Sequence, residues 1–261
     1  MLVRSWNLFH GNVFPPGRRA YLDEMVERAT ADHPSALCVQ EVPAWALDRF
    51  TVGDVSARPT LGPLPIPAFA GRLLTAPNHG LVRSAFSGQG NAIALAAELG
   101  VLSRHLLELN PVGFRREQAD ALGLDPHARR AWARERRIAQ AVRLLDGART
   151  VFLANMHCTS YPADERIPDV ELRRAADWAT STALPGDVVV LAGDFNVRSD
   201  GSETLRWLAS PAGGFSPPGP GIDHVLVKGT GARPLLVWPD DRRRRGGRLL
   251  SDHAPVEVEI P

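Results

Sequence analysis

The sequence predicts an α/β fold, with layers of mixed sheet inside one domain. Three observations carry that expectation. Apolar runs of strand length alternate with segments of helical spacing. Two apolar runs flank Asp146-Gly147, a hairpin signal, so part of the sheet structure is antiparallel. Val188 to Leu191 form an unbroken apolar run after Gly186-Asp187, which reads as a strand buried on both faces.

The totals bound the answer. The chain has 261 residues, within reach of one large domain, and the expected domain spans 1–261. No repeat or low-complexity linker divides it. Hydrophobic residues make up 44% and charged residues 23%, the balance of a soluble globule. A net charge of +1 excludes a global field drawing in nucleic acid or membrane, so any basic surface is local. Cys38 and Cys158 do not make a disulfide framework and read as buried thiols. No run reaches the length of a membrane span. The opening LVRSWNLFHGN alternates and shows no signal peptide, so a cytoplasmic location is the default expectation. A monomer is expected.

Taken in order, Leu2 to Leu8 read as a first strand, with Asn7 near its carboxyl end. Arg18 to Asp32 carry Tyr21, Leu22, Met25, Val26 and Ala29 at helical spacing, and Pro34 stops that helix. Ser35 to Gln40 form a short apolar strand closed by Glu41. Pro43 fits the first position of a short helix through Phe50. Residues 51–90 are broken into loop by Pro59, Pro63, Pro65 and Pro67, with a helix over Ala68 to Ala76. GQGN (88–91) leads into an apolar segment through Leu99 that fits strand or helix. Residues 110–137 are arginine-rich and read as surface helix or long loop. Ile138 to His157 are the hairpin, and its second strand ends in Asn155 and His157. Asp169 to Ala183 are a helix with Leu172, Ala175, Ala176 and Ala179 on one face. The strand of DVVVLAGDFN follows. Ser202 caps a short helix through Ala209. A loop over 211–221 precedes a strand opened by Asp223. An arginine-rich loop then leads to Ser251-Asp252-His253, and APVEVEI closes the chain.

Polar groups recur at the ends of these strands: Asn7, Glu41, Asn155 with His157, Asp194 with Asn196, Asp223, and Asp252 with His253. Residues two apart on an extended backbone point to one side, so paired groups leave the strand together. Each alone has a bland reading as a turn residue or a packed histidine. Together they hold three Asp, one Glu, three Asn and two His. Such an oxygen-rich set suits magnesium, manganese or calcium rather than zinc. HExxH and cysteine-pair zinc spacings are absent. Magnesium commonly uses one or two carboxylates plus substrate phosphate, so the set fits metal-assisted phosphoester hydrolysis.

The ordered set WN (6–7), QE (40–41), MHC around His157, GDFN (193–196), IDHVLV (222–227) and SDHAP (251–255) resembles the endonuclease/exonuclease/phosphatase superfamily. That family includes deoxyribonuclease I-like and exonuclease III-like enzymes, sphingomyelinases and inositol polyphosphate 5-phosphatases. The likeness runs from Asn7 to His253, and GDFN and SDHAP are its most specific parts. It implies a four-layer sandwich: two face-packed mixed β-sheets flanked by helices. It also implies divalent-cation-dependent hydrolysis of a phosphoester, with magnesium or manganese.

The resemblance implies roles residue by residue. Glu41 would be the main metal ligand, helped by Asn7 and Asp252. Asp194 would orient or deprotonate the attacking water, and Asn196 would hold a phosphate oxygen. His253, oriented by Asp223, would contact the scissile phosphate. His157 would stabilise charge or protonate the leaving oxygen. In the deoxyribonuclease branch a glutamate pairs with the histidine matching His157, and no such glutamate is found here, so Asn91 or Gln89 stands in. Asn91 and Asn155 are candidate substrate contacts. Arg242, Arg243, Arg244 and Arg245 are expected to bind phosphates flanking the scissile one, since arginine makes bidentate phosphate contacts.

The leading reading is a phosphodiesterase or nuclease. A phosphatase or a phospholipid phosphodiesterase remains open, as does a catalytically silent member that binds phosphate or a protein partner. Calcineurin-like enzymes need GDxxD and GNH, and this chain has GDFN and no GNH. Nucleic acid is an open partner: the local arginines favour it, and 7% aromatic content weakens a stacking platform.

Overall fold

In the computed structural model, which describes residues 1–50, 58–60, 70, 73, 74, 77 and 88–261, the apolar runs become strands of two packed sheets. Strands β1 (Leu2–Asn7), β3 (Ala36–Pro43), β4 (Arg58–Thr60), β5 (Gln89–Leu95), β11 (Leu236–Val237) and β14 (Val256–Glu259) form the first. Its order is β11-β14-β1-β3-β5-β4. Strands β6 (Gly100–Glu108), β7 (Ile138–Asp146), β8 (Arg149–His157), β9 (Val188–Asp194) and β10 (Asp223–Lys228) form the second, in the order β10-β9-β8-β7-β6. The β1–β3 and β8–β9 pairs are parallel, while β1–β14 and β7–β8 are antiparallel, so both sheets are mixed. A small third sheet joins β2 (Val13–Phe14) to the hairpin of β12 (Arg244–Arg245) and β13 (Arg248–Leu250).

The apolar patterns explain the layers. Along β9, Val188, Val190 and Ala192 face the core between the sheets, with Val142, Leu153, Cys38 and Ile93. Val189 and Leu191 face the other way, under Leu172, Ala175, Ala176 and Ala179 of helix α4 (Arg166–Thr182). Burial on both faces is why the run is uninterrupted. On the far side, Trp6, Leu37 and Val39 pack under α1 (Leu22–Thr30) and a 3₁₀ helix, Ala44–Phe50. The result is helix, sheet, sheet, helix, the expected sandwich. Both cysteines are free and buried. Among the described residues, no helix is long and apolar enough to cross a membrane.

Local chemistry sets the ends of the elements. Gly147, with φ 61°, makes the tight β7–β8 turn. Ser202 caps α5 (Glu203–Leu208) by accepting from Leu205 N at 2.9 Å. The arginine-rich stretch resolves into α2 (Val112–Ala121) and α3 (Pro126–Trp132). Asp125 caps α3 by accepting from His127 N and Ala128 N, both at 2.8 Å.

Several expectations need correction. The segment after GQGN, open to strand or helix, is strand β5, but it stops at Leu95 rather than Leu99. β3 does not close at Glu41 but runs to Pro43, with a register shift between Val39 and Val42. Pro43 therefore ends a strand, and the 3₁₀ helix starts after it. β6 was not anticipated, because its outer face carries exposed Leu102 and Leu106 that blur the period-two pattern. The helix expected over Ala68 to Ala76 lies largely outside the described residues.

Candidate active site

Three neighbouring strands of the second sheet end side by side. Register puts His157 of β8, Asp194 of β9 and Asp223 of β10 directly abreast. Gly193 makes that alignment possible: its φ is 141°, and a Cβ there would lie 1.9 Å from the Met156 carbonyl oxygen. The first sheet brings Asn7 and Glu41 to the same end of the gap between sheets.

Asp194 is the centre. Its Oδ2 accepts from Asn7 Nδ2 at 2.9 Å, and its Oδ1 accepts from Asn196 N at 3.0 Å. The same Oδ2 lies 3.5 Å from His157 Nε2 and 3.8 Å from His253 Nε2. Burial first, then the Asp223 carboxylate, push the Asp194 acid above the usual carboxylate range.

His253 Nδ1–H donates to Asp223 Oδ2 at 2.7 Å. Burial lowers this imidazole, but the carboxylates of Asp223, Asp194 and Asp252 override it and raise it to about 10. His157 is the opposite case. Burial, and then the Arg137 cation, push its imidazole well below the usual range, against the pull of Glu41. Its partner is Arg137 Nη1, 2.9 Å from Nδ1. Neither Asn91 nor Gln89 takes the place of the missing glutamate. Asn91 donates instead to Ile138 O at 3.2 Å, and Gln89 donates to Glu135.

Glu41 sits at the irregularity of β3 with φ 52°, which re-aims its side chain. Its Oε2 meets His10 Nε2 at 2.9 Å, and its Oε1 is 3.8 Å from His157 Nε2. Burial alone would raise this carboxyl; the imidazoles of His10, His157 and His253 hold it well below the usual carboxylate range. Among the described non-glycine residues with positive φ, Phe9, His10, Glu41, Asn196 and Ser251 all flank this site. Backbone in such sparse regions clusters at functional sites.

The loop bearing Asp252 and His253 is tied down from both sides. Ser251 Oγ donates to Asn7 O at 2.6 Å and accepts from His253 N at 3.0 Å. Arg243 is buried and donates to Ser251 O at 3.0 Å and to Asp240 at 2.8 Å. Arg242 stacks 3.7 Å over the Trp238 ring and pairs with Asp32. These two arginines are bound within the protein, which corrects the expectation that all four face substrate. Arg244 and Arg245 are exposed. Asn155 also needs correction. It gives its amide hydrogens to Val39 O at 3.0 Å and Ala92 O at 2.8 Å and accepts from Gln40 at 2.7 Å. It cross-links the two sheets beneath the site.

The acids gathered here suit a hard dication. Asp194, Asp223 and His253 offer ligand atoms within 4.8 Å of one another, and Glu41 and Asp252 stand beside them. The raised Asp194 acid marks negative charge crowded into a buried place, which a cation would relieve. Asn7 Oδ1 accepts from Phe9 N at 3.0 Å, which leaves its second lone pair for a cation. His10 and Arg137 are contacts that the sequence reading missed. A histidine three residues beyond Asn7 was the available signal for the first.

The family model described as the Endonuclease/Exonuclease/phosphatase family matches residues 5–253. No curated protein matches. Among solved structures, a functionally unknown conserved protein from Enterococcus faecalis V583 shares 15% identity at TM-score 0.67, over 100% of this chain and 99% of that one. An endonuclease/exonuclease/phosphatase family protein from Bacteroides thetaiotaomicron shares 13% at TM-score 0.63, over 100% and 94%. D. rerio TDP2, solved with a single-strand DNA product, shares 12% at TM-score 0.62, over 100% and 98%.

Proposed function

The chain belongs to the endonuclease/exonuclease/phosphatase family, and from that premise we propose that it is a divalent-metal-dependent phosphoesterase, a phosphodiesterase of nuclease type. The observation that carries this reading is the convergence of two histidines, one backed by Asp223 and one by Arg137, on one buried carboxylate, Asp194. Phosphoryl transfer needs positioning and charge stabilisation more than covalent work. Asp194, held by Asn7 and by the Asn196 backbone, orients the attacking water and takes its proton. His253, kept protonated by Asp223, stabilises charge on the scissile phosphate. Asn196 donates one amide hydrogen to Cys158 O at 2.9 Å, which leaves its second for a phosphate oxygen. Glu41 and Asp252, with Asn7 beside them, would hold magnesium or manganese. A dication there would neutralise phosphate charge.

The substrate proposed first is a phosphodiester of a nucleic acid strand. D. rerio TDP2 holds single-strand DNA, and exposed Arg244 and Arg245 are available for flanking phosphates. The test is an activity panel with magnesium or manganese across single-strand DNA, RNA, sphingomyelin, inositol phosphates and bis(4-nitrophenyl) phosphate. Hydrolysis of a diester that stops with chelator and returns with metal is the expected result. No turnover of any substrate would favour the silent, phosphate-binding reading.

A further inference from the structure

Arg137 is only 6% exposed, an unusual place for a guanidinium with no carboxylate directly between it and a histidine ring. It is fixed on three sides. Nη2 pairs with Glu135 Oε2 at 2.8 Å, its backbone N donates to Asn110 Oδ1 at 2.8 Å, and its carbonyl accepts from Leu109 N at 2.8 Å. Nη1 then faces His157 Nδ1 at 2.9 Å.

A guanidinium has five donors and no acceptor. The contact is a hydrogen bond only if Nδ1 accepts, so Nδ1 carries no hydrogen. The one hydrogen of the neutral ring is then on Nε2. That nitrogen faces acceptors: Asp194 Oδ2 at 3.5 Å and Glu41 Oε1 at 3.8 Å. A second proton on the ring would set an N–H against an N–H. Behind His253 the arrangement is reversed, because Asp223 accepts from Nδ1–H.

We propose that Arg137 is a positioning residue that locks His157 in the neutral tautomer with hydrogen on Nε2. On the phosphoesterase reading above, His157 then donates a hydrogen bond to a phosphate oxygen and does not protonate the leaving group. Of the two roles open to it from sequence, this selects charge stabilisation. The orienting group behind this histidine is a cation rather than an acid.

The test is spectroscopic. The full chain, labelled with 15N-histidine and loaded with magnesium, is examined at pH 8 by two-bond 1H–15N correlation. H157Q assigns the ring. The expected wild-type pattern is a bare Nδ1 and a protonated Nε2. R137M removes every donor, so an Nδ1–H population should appear. With bis(4-nitrophenyl) phosphate its kcat should fall on the order of tenfold, with KM little changed. R137Q restores one donor and should recover the wild-type pattern and much of the lost kcat. A hydrogen on Nδ1 in the wild type, or an unchanged pattern in R137M, would overturn the assignment. If R137M does not fold, the wild-type pattern decides alone. The spectrum needs no turnover, so an inactive protein would defeat the functional reading and leave the tautomer assignment standing.

Discussion

His253 and His157 approach the same oxygen of Asp194, one from the loop before β14 and one from the end of β8, yet groups of opposite charge stand behind their rings. Their Nε2 atoms lie 3.8 and 3.5 Å from Asp194 Oδ2. What differs is the group behind each ring. Asp223 behind His253 supports a positive imidazolium, and Arg137 behind His157 forbids one. Buried arginines serve both sides in different ways. Arg137 touches the His157 ring, whereas Arg243 touches the backbone that carries His253. The lesson is that residue type alone does not assign acid and base roles. The environment one contact further out assigns them.

The largest expected effect comes from removing what the two halves share. Asp194→Asn keeps the size of the side chain but loses the charge and the proton acceptor. Its kcat should fall by on the order of a thousandfold or more, with little change in melting temperature. A variant that keeps more than about a tenth of wild-type kcat would show that Asp194 is not where the two histidines act, on the scale expected for general base loss.

A smaller effect should separate the halves. Asp223→Asn keeps the hydrogen-bonding shape behind His253 but removes the charge, and kcat should fall roughly ten- to a hundredfold. That loss should be contained within the loss of His253→Gln, because the two act as a unit. The same Asp223→Asn change should add fully to His157→Gln. Full additivity between Asp223→Asn and His253→Gln, read from a double-mutant cycle on kcat, would break the pairing.

Much of this site is legible in the sequence because a strand has period two. Asn155 and His157 share a face of β8, as period two predicts, whereas Asn196 lies past the end of β9 with φ 55°, where alternation no longer applies. Depth was not legible. Asn155 lies one strand step further in, where the first sheet covers it, so it binds Val39 O and Ala92 O. His157 lies two residues further along the same face, abreast of Asp194. Glu41 was found as a strand-end acid, but the irregularity that aims it leaves no mark on composition. Arg137 could not be picked from its neighbours, since Arg129, Arg130, Arg134 and Arg136 look the same in sequence. What distinguishes Arg137 is its place at the foot of β7, where Asn110, Glu135 and His157 enclose it. In the arginine run at 242–245, Trp238 and Asp240 capture two members, and of these only the i,i+3 spacing of Asp240 and Arg243 leaves a mark in the sequence.

The smallest effect tests the comparison through stability alone, in metal-free protein, with no substrate. His253 has a folded-state value raised to about 10, against an ordinary value near 6.5. Its contribution to stability is fully present below about pH 6.5 and is lost as pH rises toward 10. His157 is lowered below its ordinary value, so the folded protein keeps it neutral where the unfolded chain would protonate it. Its contribution is fully present above about pH 6.5 and declines as pH falls below that. The two histidines therefore tilt the stability curve in opposite directions. Measured by urea unfolding, His253→Gln should cost more stability at pH 6 than at pH 9. His157→Gln should cost more at pH 8 than at pH 5. If both variants shift the curve the same way, the carboxylate behind one ring and the guanidinium behind the other do not set their charges.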